Sequence, residues 1–434
     1  MVKDFLIFIL CLCFCPLALA KTPVCKDCNL LLISIDTLRP DHMGIYGYGR
    51  QTTPHIDKHL KDGVVLDNAT TPSPCTIPSI KQFLSGRYDT NASRLAEIMQ
   101  QAGYQTGAII SQALLRTAKE EKLHIAGFES WDIQKPYEEN QHLMSTRDAR
   151  SIQEAALNWL KRRNTNKPFF LWTHFFDPHD PYDPPAEYRQ WLKGKALYTD
   201  GDRRRAAQEG GFQGQWQKRP GIFTDAARQN LIALYDGEIA FTDAHLGKMF
   251  TFLQQQGLWE KTVVVLVSDH GEWLGEEEMW DHCITLHERE VRVPLIFRVP
   301  GLTKRPHIKG QAFSTLDILP TLTNLLRVSD PHTHLREGSS IFKADATRKT
   351  FASFRSEITL KNKLRKIYCS LEGTQCVKWR QVSLKQKSPD EKNTSQEVKA
   401  KAKATLQNFI KTQSAFLKTT DETLATLKAL GYTR

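Results

Sequence analysis

The sequence predicts an α/β fold, in which a mostly parallel β-sheet is sandwiched by helices, followed by a small C-terminal α+β domain. Apolar runs typical of buried strands alternate with amphipathic helical patterns along the chain. Such alternation favours parallel pairing and a sheet that is covered on both faces. With 434 residues, of which 40% are hydrophobic and 25% charged, the composition is globular and excludes a disordered or collagen-like chain.

The predicted elements of the main domain follow in chain order. Five apolar runs are predicted as strands, at residues 29–35, 106–110, 168–176, 262–267 and 293–299. Amphipathic patterns predict helices at residues 95–102, 152–162, 227–254 and 315–326. A shorter helix is predicted between Thr76, a favourable N-cap residue, and Ser85, which precedes Gly86.

The composition changes after residues 330–340, which are rich in Pro, His, Gly and Ser. Short strands are predicted at residues 351–354, 365–369 and 377–382, and a Lys- and Ala-rich helical stretch at residues 397–430. We therefore predict three parts, which are a signal peptide at 1–20, the main α/β domain at 21–340 and a small basic α+β domain at 341–434.

The first twenty residues have the pattern of a signal peptide. Lys3 supplies a basic start, residues 5–19 form an apolar run too short to span a membrane, and small residues precede a cleavage point after Ala20. Cleavage there would export the chain to a periplasmic or extracellular compartment.

Six of the nine cysteines remain after removal of this leader. An even number of cysteines in an exported chain predicts disulfides. The pairs closest in sequence are Cys25 with Cys28 and Cys369 with Cys376, which leaves Cys75 and Cys283 either bonded to each other or free.

The formal net charge of +11 belongs to the C-terminal part of the chain. Residues 348–434 include 19 basic and 7 acidic residues, whereas the rest includes 40 basic and 41 acidic residues. A balanced main domain gives no support to nucleic-acid binding, so no nucleic-acid partner is expected. The Lys-rich stretch is most simply a solvated face, and weak contact with a polyanion or a membrane surface is the alternative.

Acidic and imidazole side chains stand where predicted strands end. Asp36 follows the first strand, and Asp269 and His270 follow the strand at 262–267. The carboxyl ends of parallel strands line the crevice in which α/β proteins bind ligands. Two carboxylates and an imidazole in that crevice predict a site for a divalent cation.

Further residues could carry chemistry in the same crevice. The hydroxyl of Thr76 would stand at a helix N-terminus, which favours an anion, and next to a metal it would be an activated nucleophile for an anionic ester. His174 and His179 stand at and just after the end of the strand at 168–176, and a histidine beside a leaving oxygen could protonate it. His282 and His287 follow Asp269 closely enough to reach the crevice.

An ordered set of motifs resembles the sulfatase family, within the alkaline phosphatase superfamily. The motifs lie at residues 32–47 (LISIDTLRPDHMGIYG), 94–104 (RLAEIMQQAGY), 176–182 (FDPHDPY), 235–243 (YDGEIAFTD), 268–275 (SDHGEWLG), 292–297 (RVPLIF) and 427–432 (LKALGY). The match extends over nearly all of the mature chain, in family order. It implies a sulfatase-like fold for the main domain.

The resemblance also implies roles for individual residues. Asp36, Asp269 and His270 would bind the metal, His179 would lie beside the substrate ester, and His282 falls near a Lys or His with which relatives contact the bound anion. Thr37 occupies the position of a second metal-binding Asp in many relatives. The resemblance implies Ca²⁺, but with an imidazole ligand and fewer carboxylates Mn²⁺, Zn²⁺ or Mg²⁺ would also be suitable.

The chain departs from the family at the nucleophile. Sulfatases that form a formylglycine have Cys/Ser-x-Pro-x-Arg, and the spacing to Pro78 places Thr76, not Cys75, at the nucleophile position. Ile80 then occupies the Arg position, and Lys81 is a candidate to replace its charge. Because Cys75 is one residue out of register, formylglycine is not expected.

Three functions compete on these observations. The first is an exported, metal-dependent hydrolase that cleaves sulfate esters of a small molecule or glycan through Thr76. The second is a phosphoester hydrolase or a phosphoethanolamine-type transferase on the same fold. The third is a catalytically degenerate protein that binds anionic glycans. In each case Cys75 and Cys283 should lie near each other, because they adjoin Thr76 and His282.

Overall fold

A computed structural model describes residues 24–88, 94–111, 127–133, 147–193, 225–302, 307–343, 348–354, 357–362, 365–372, 375–383, 404–405 and 407–409. The signal peptide predicted at 1–20 and most of the helical stretch predicted at 397–430 lie outside these residues. Within the described ranges, no helix combines the length and the apolar character needed to cross a membrane.

The elements are numbered in chain order. The α-helices are α1 (Pro54–Leu60), α2 (Thr76–Ser85), α3 (Leu95–Gln101), α4 (Ala149–Arg162), α5 (Asp225–Gln255), α6 (Glu288–Val291) and α7 (Ile318–Leu326). The strands are β1 (Asn29–Ile35), β2 (Val64–Val65), β3 (Ala69–Thr70), β4 (Gln105–Ile110), β5 (Ser130–Asp132), β6 (Phe169–Phe175), β7 (Thr262–Ser268), β8 (Trp273–Leu274), β9 (Trp280–Asp281), β10 (Arg292–Val293), β11 (Leu295–Arg298), β12 (Phe313–Ser314), β13 (Thr350–Phe354), β14 (Glu357–Lys361), β15 (Arg365–Glu372) and β16 (Gln375–Ser383). Short 3-10 helices lie at Pro40–His42, Gly44–Tyr46, Ala186–Tyr188, Trp259–Lys261, Glu276–Glu278, Thr315–Asp317 and Thr333–Leu335.

The main sheet has seven strands in the order β2-β11-β7-β1-β6-β4-β5. The five strands from β7 to β5 are parallel, and β11 and β2 form an antiparallel edge. The predicted α/β fold with a mostly parallel sheet is therefore confirmed.

Helices cover both faces of this sheet, which explains why its central strand is apolar throughout. Alternate residues of β1 point to opposite faces. Leu30 and Leu32 pack in a core with residues of α2, α3 and α7, whereas Leu31 and Ile33 pack in a second core with residues of α1, α4 and α5. All seven residues of β1 are consequently buried.

One predicted strand is divided in the structure. The run at 293–299 forms two strands, because Pro294 has no amide hydrogen and interrupts the ladder. β10 pairs with β3 in a small sheet, and β11 pairs with β7 in the main sheet. The prediction of a single strand at 293–299 was wrong.

The C-terminal part forms a four-stranded antiparallel sheet in the order β13-β14-β15-β16. Strands overlap the three predicted runs, but β14 was missed although its residues alternate between polar and apolar types. Ile358 and Leu360 of β14 pack against Tyr88 and Leu316 of the main domain. The domain boundary at residue 340 stays a prediction.

Candidate active site

Strand register brings the two predicted acidic ligands together. β1 and β7 are parallel neighbours, and Ile35 pairs with Ser268 at their carboxyl ends. The residues that follow, Asp36 and Asp269, therefore leave the sheet side by side, as the crevice argument predicts.

Asp36, Asp269 and His270 form one compact group of metal-ligand atoms. Each contributes one ligand atom, and these atoms all lie within 4.8 Å of one another. Nε2 of His270 lies 3.6 Å from Oδ1 of Asp36 and 3.6 Å from Oδ2 of Asp269. All three side chains are fully buried. The three predicted ligands are thus brought together.

The polar atoms of this group fit a bound cation. Both carboxylate oxygens of Asp36 and Oδ2 of Asp269 are buried without a hydrogen-bond partner among the described residues. Buried carboxylates without partners are unfavourable unless a cation compensates them. Oxygen and imidazole donors in this arrangement suit a divalent ion.

The pKa values reflect the same crowding of buried groups. Burial raises the pKa of the Asp269 carboxyl well above its ordinary value, and the charge of Asp36 raises it further. Burial would also raise the pKa of Asp36, but His174 beside it and other nearby imidazoles outweigh burial and hold that pKa low. Burial and the positive charge of His282 lower the pKa of His270 to about 3, so its imidazole is neutral.

Thr76 contacts the metal-ligand group through His270. Oγ1 of Thr76 lies 3.0 Å from Nε2 of His270. Nδ1 of His270 lies 3.0 Å from the carbonyl oxygen of Gly271, which can only accept, so the ring hydrogen belongs on Nδ1. The lone pair of Nε2 therefore faces Thr76 and the two carboxylates, as a hydrogen-bond acceptor or a metal ligand requires.

Thr76 does not cap its helix as predicted. Cys75 is the N-cap residue, with extended φ and ψ of −131° and 142°, and Thr76 is the first helical residue. The carbonyl of Cys75 accepts a hydrogen bond from the Ser79 amide at 3.1 Å. The Thr76 hydroxyl instead points to His270, so the N-cap prediction was wrong while its place at the helix start was right.

His179 and His282 lie next to one another above this group. Their ring centroids are 4.8 Å apart, and the ring of His282 stacks on that of His270 at 4.5 Å. Burial would lower the pKa of His282, but the carboxylates of Asp281 and Glu272 outweigh it and raise that pKa to about 10. His282 is consequently a cation at neutral pH.

Two further side chains border the site, of which His174 was predicted at a strand end and Glu272 was not predicted as a site residue. His174 lies with Nε2 3.8 Å from Asp36, and its Nδ1 contacts Oγ of Ser34 at 2.8 Å. Glu272 is buried, accepts a hydrogen bond from Tyr182 at 2.5 Å, and lies 3.9 Å from Nδ1 of His282. Their positions at the ends of β6 and β7 were the available signal.

Other candidates do not join the site. His287 caps α6 by accepting the Arg289 amide, and its ring stacks on Trp273. Ile80 is buried in the apolar core. Among the residues described, Lys81 forms no hydrogen bond or ion pair with the predicted site residues. No contact therefore supports the prediction that Lys81 replaces the missing Arg charge.

The backbone turns sharply after Asp36. Thr37 has φ of 53°, a left-handed conformation that is uncommon for a β-branched residue. The Tyr235 hydroxyl donates to its carbonyl at 2.9 Å, and the Thr37 hydroxyl is buried without a hydrogen-bond partner among the described residues. Thr37 is not a member of the Asp36, Asp269 and His270 group.

The disulfides agree with the sequence prediction. Cys25 is bonded to Cys28, and Cys75 is bonded to Cys283 with a Cα–Cα distance of 5.1 Å. The expected proximity of Cys75 and Cys283 is confirmed, and a sulfur engaged in this bond is not a formylglycine precursor. Cys369 is also disulfide-bonded, whereas the side chain of Cys376, its predicted partner, lies outside the described part.

A covered parallel sheet that ends in two aspartates and a histidine beside a helix-start hydroxyl defines a hydrolase of the alkaline phosphatase superfamily. The sulfatase family profile matches residues 28–328. The chain therefore belongs to the sulfatase family, and the fold class implied by the motifs is confirmed.

Similar proteins agree with this membership. The chain is 26% identical to an arylsulfatase of Clostridium perfringens over 371 residues, which cover 70% of this chain and 76% of the relative. A structure solved in complex with its substrate D-glucosamine-2-N,6-O-disulfate has a TM-score of 0.67 at 18% identity, covering 90% of this chain and 98% of that one. The phosphonate monoester hydrolase of Agrobacterium radiobacter has a TM-score of 0.64 at 18% identity, covering 93% and 96%. Four similar curated relatives are covered over 61% to 76% of their own length.

Proposed function

We propose that this protein is an exported, metal-dependent sulfatase that hydrolyses sulfate esters with Thr76 as its nucleophile. The observation that carries the proposal is the contact of Oγ1 of Thr76 with Nε2 of His270 at 3.0 Å, within the group that also contains Asp36 and Asp269. A hydroxyl next to the atoms that would bind a cation supports this role, because a metal ion activates a neighbouring hydroxyl as a nucleophile.

Asp36, Asp269 and His270 would hold the divalent ion. When bound, the ion supplies charge that stabilises the anionic ester and favours the deprotonated hydroxyl. Ca²⁺ is the ion implied by the family, while the mixed oxygen and nitrogen donors also suit Mn²⁺, Zn²⁺ or Mg²⁺. Measuring the metal content of purified protein by mass spectrometry identifies the ion.

Thr76 would attack the sulfur of the substrate. A bond forms between Oγ1 and sulfur, and the bond between sulfur and the alcohol oxygen breaks. The proton lost by the Thr76 hydroxyl balances the proton that the departing alcohol gains. Water then attacks the sulfur of the Thr76 ester, which releases sulfate and restores the hydroxyl.

His179 would protonate the departing alcohol. Its Nδ1 lies 2.6 Å from the carbonyl oxygen of Asp180, so Nδ1 carries a hydrogen and Nε2 is left to exchange a proton. His282 lies beside it and is positively charged at neutral pH, because Asp281 and Glu272 raise its pKa to about 10. It would supply positive charge for the anionic group of the substrate.

The charge of the site favours a singly charged ester group. Among the described residues, no Lys or Arg side chain forms a hydrogen bond or an ion pair with the six predicted site residues. The two negative charges of Asp36 and Asp269 would balance the two positive charges of a divalent ion. A sulfate ester carries one negative charge and needs fewer cations than a phosphate monoester. A sulfated glycan or small sulfated molecule is therefore the proposed substrate.

A phosphoester is the second candidate substrate. The threonine hydroxyl, rather than a formylglycine hydrate, favours it, because a threonine ester is resolved by hydrolysis or transfer and not by elimination. A phosphodiester also carries one negative charge, so the charge of the site is compatible with it.

Export is supported by the leader and by the disulfides. The pattern at 1–20 is that of a signal peptide, and the Cys25–Cys28 and Cys75–Cys283 bonds suit an oxidising compartment. Fractionating the producing cells and sequencing the N-terminus of the mature protein tests it. A chain that retains residues 1–20 in the cytoplasm would contradict export.

The deciding experiment uses chromogenic sulfate, phosphate monoester and phosphodiester substrates. Wild type and Thr76→Ala are compared with added Ca²⁺, Mn²⁺, Zn²⁺ and Mg²⁺. We expect metal-dependent sulfate release that Thr76→Ala abolishes. Turnover of phosphoesters without sulfate release would establish the second candidate, and binding of sulfated polymers without any turnover would establish a degenerate binding protein.

A further inference from the structure

One disulfide joins two distant segments at the site. Cys75 and Cys283 are separated by 208 positions in sequence, and their Cα atoms lie 5.1 Å apart. Cys75 precedes Thr76, and Cys283 follows His282. The covalent link therefore joins the residue before Thr76 to the residue after His282.

On the nucleophile side, the linked residue begins helix α2. Cys75 is buried and extended, and its carbonyl accepts the Ser79 amide at 3.1 Å. The Ser79 hydroxyl in turn donates to the carbonyl oxygen of Asp269 at 2.6 Å. The start of α2 is therefore attached to the end of β7, and Thr76 has a defined position relative to the metal-ligand group.

On the other side, the linked residue lies in a strained turn. Asp281 and Cys283, which flank His282, both have left-handed backbone conformations, with φ of 75° and 58°. Residues other than glycine adopt these values rarely and keep them only when surrounding structure holds them. The Cys283 amide also donates to the carbonyl of Pro74 at 3.2 Å.

The imidazole of His282 depends on this turn for its place. Its ring stacks on His270 with a centroid distance of 4.5 Å and an interplanar angle of 27°. Its Nδ1 lies 2.9 Å from Oδ1 of Asp281, which belongs to the same turn, and 3.9 Å from Oε2 of Glu272. Because His282 lies between the two left-handed residues, the conformation of the turn determines where its ring lies.

We propose that the Cys75–Cys283 disulfide is a positioning element that holds the ring of His282 over that of His270, so that opening the bond impairs the chemical step. This inference rests on the proposed function. The matched control is the Cys25–Cys28 disulfide, which joins two residues three positions apart in the N-terminal segment. This segment lies beside α7, where the Cys25 amide donates to the carbonyl of Leu325 at 2.8 Å.

The test compares the full chain with Cys75→Ser/Cys283→Ser and Cys25→Ser/Cys28→Ser, each also combined with His282→Ala. We expect kcat for a chromogenic sulfate ester to fall between about tenfold and about 10²-fold in the first pair, with a smaller change in KM. The control pair should keep the kcat of wild type. In the His282→Ala background, removing Cys75 and Cys283 should cause no further fall.

Two results would overturn the inference. One is a kcat of Cys75→Ser/Cys283→Ser equal to that of wild type, and the other is an equal fall with and without His282. If the serine pair does not fold, a dithiol reductant and alkylation can open the bond in folded wild-type protein, with peptide mapping to identify it. An unchanged kcat after selective opening then contradicts the proposal in the same way.

A readout without turnover separates this inference from the proposed function. In histidine-labelled protein, the C2–H resonance of His282, assigned by its loss in His282→Ala, should shift in Cys75→Ser/Cys283→Ser and stay in place in the control pair. An unchanged resonance would reject the positioning role. Wild type that hydrolyses no ester would reject the proposed function and leave the resonance as the measure of positioning.

Discussion

Oγ1 of Thr76 and Nε2 of His270 lie 3.0 Å apart, although 194 positions separate the two residues in sequence. Both side chains are buried, and the hydrogen on Nδ1 of His270 turns the lone pair of Nε2 towards the hydroxyl. The relationship joins the start of a helix to the end of a central strand. The contact brings the Thr76 hydroxyl to the group formed by Asp36, Asp269 and His270.

The first prediction concerns the Thr76 hydroxyl itself. Thr76→Val keeps the shape of the side chain and removes the nucleophile, so kcat should fall by about 10³-fold or more. Thr76→Ser keeps the hydroxyl and should stay within about tenfold of wild type. Steady-state kinetics with a chromogenic sulfate ester measures both, and thermal unfolding checks that both variants are folded. Equal activity of the two variants would remove Thr76 as the nucleophile.

The second prediction concerns metal binding. Burial and the charge of Asp36 raise the pKa of the Asp269 carboxyl well above its ordinary value, so Asp269→Asn should stabilise the metal-free protein and weaken metal binding. Wild type should gain about 2.7 kcal/mol in its free energy of unfolding at a metal concentration of about 100 times the dissociation constant. Urea unfolding with chelator and with metal measures both effects. The same metal-induced stabilisation in Asp269→Asn would contradict the assigned ligand set.

The third prediction concerns protonation of the departing alcohol. If His179 supplies the proton, His179→Ala should lower kcat by about 10²-fold to 10⁴-fold for an alkyl sulfate, whose alcohol is a poor leaving group. The loss should be much smaller for a nitrophenyl sulfate, because its leaving group needs no proton. Comparing kcat for the two substrates in wild type and variant measures the difference. A loss that is independent of the leaving group would assign the proton transfer to another residue.

The fourth prediction concerns a buried ion cluster between the main domain and the C-terminal sheet. The ammonium groups of Lys361 and Lys366 lie 2.7 Å and 2.8 Å from the carboxylate of Glu288, and both lysines are almost fully buried. Glu288→Gln leaves two buried cations without their counter-ion and should lower the free energy of unfolding by about 3–5 kcal/mol.

A matched control is the pair of Arg298 and Glu260, in which the Glu260 side chain is 73% exposed. Glu260→Gln should cost less than about 1 kcal/mol. Urea unfolding at neutral pH measures both variants. Similar losses in the two variants would show that burial of the cluster does not control its contribution.

The fifth prediction concerns pH and His245, a buried residue of α5 that contacts Gln153 at 3.0 Å. Burial, with the charges of Lys248 and Arg150, lowers the pKa of His245 to about 4. The unfolded chain therefore binds a proton before the folded protein does, and stability falls as pH drops from about 6.5 towards about 4. Thermal unfolding across this range should show a smaller loss in His245→Asn. An identical pH profile in the variant would contradict the lowered pKa.

Local sequence patterns determined most of the main domain. Residues 29–35 were predicted as a strand and form β1 with the same bounds, because a run buried on both faces must be apolar at every position. The close approach of Asp36, Asp269 and His270 was also predictable, since strand ends in a parallel sheet converge on one edge. The division of one strand at Pro294 was missed, and so was strand β14. The ends of a strand depend on the neighbouring strand with which it forms backbone hydrogen bonds, and that neighbour is far away in sequence.

Only the tertiary structure decided the contacts across the crevice. The bond from Thr76 to His270, the stacking of His282 on His270 and the place of Glu272 beside His282 join loops that no local pattern connects. The sequence by itself determined most of the elements, the residues of the Asp36, Asp269 and His270 group and the family motifs, because short-range periodicity and residue type encode them. The loop conformations that bring Cys75 to Cys283 depend on packing between segments 208 positions apart, and long-range packing is decided only when the whole chain folds.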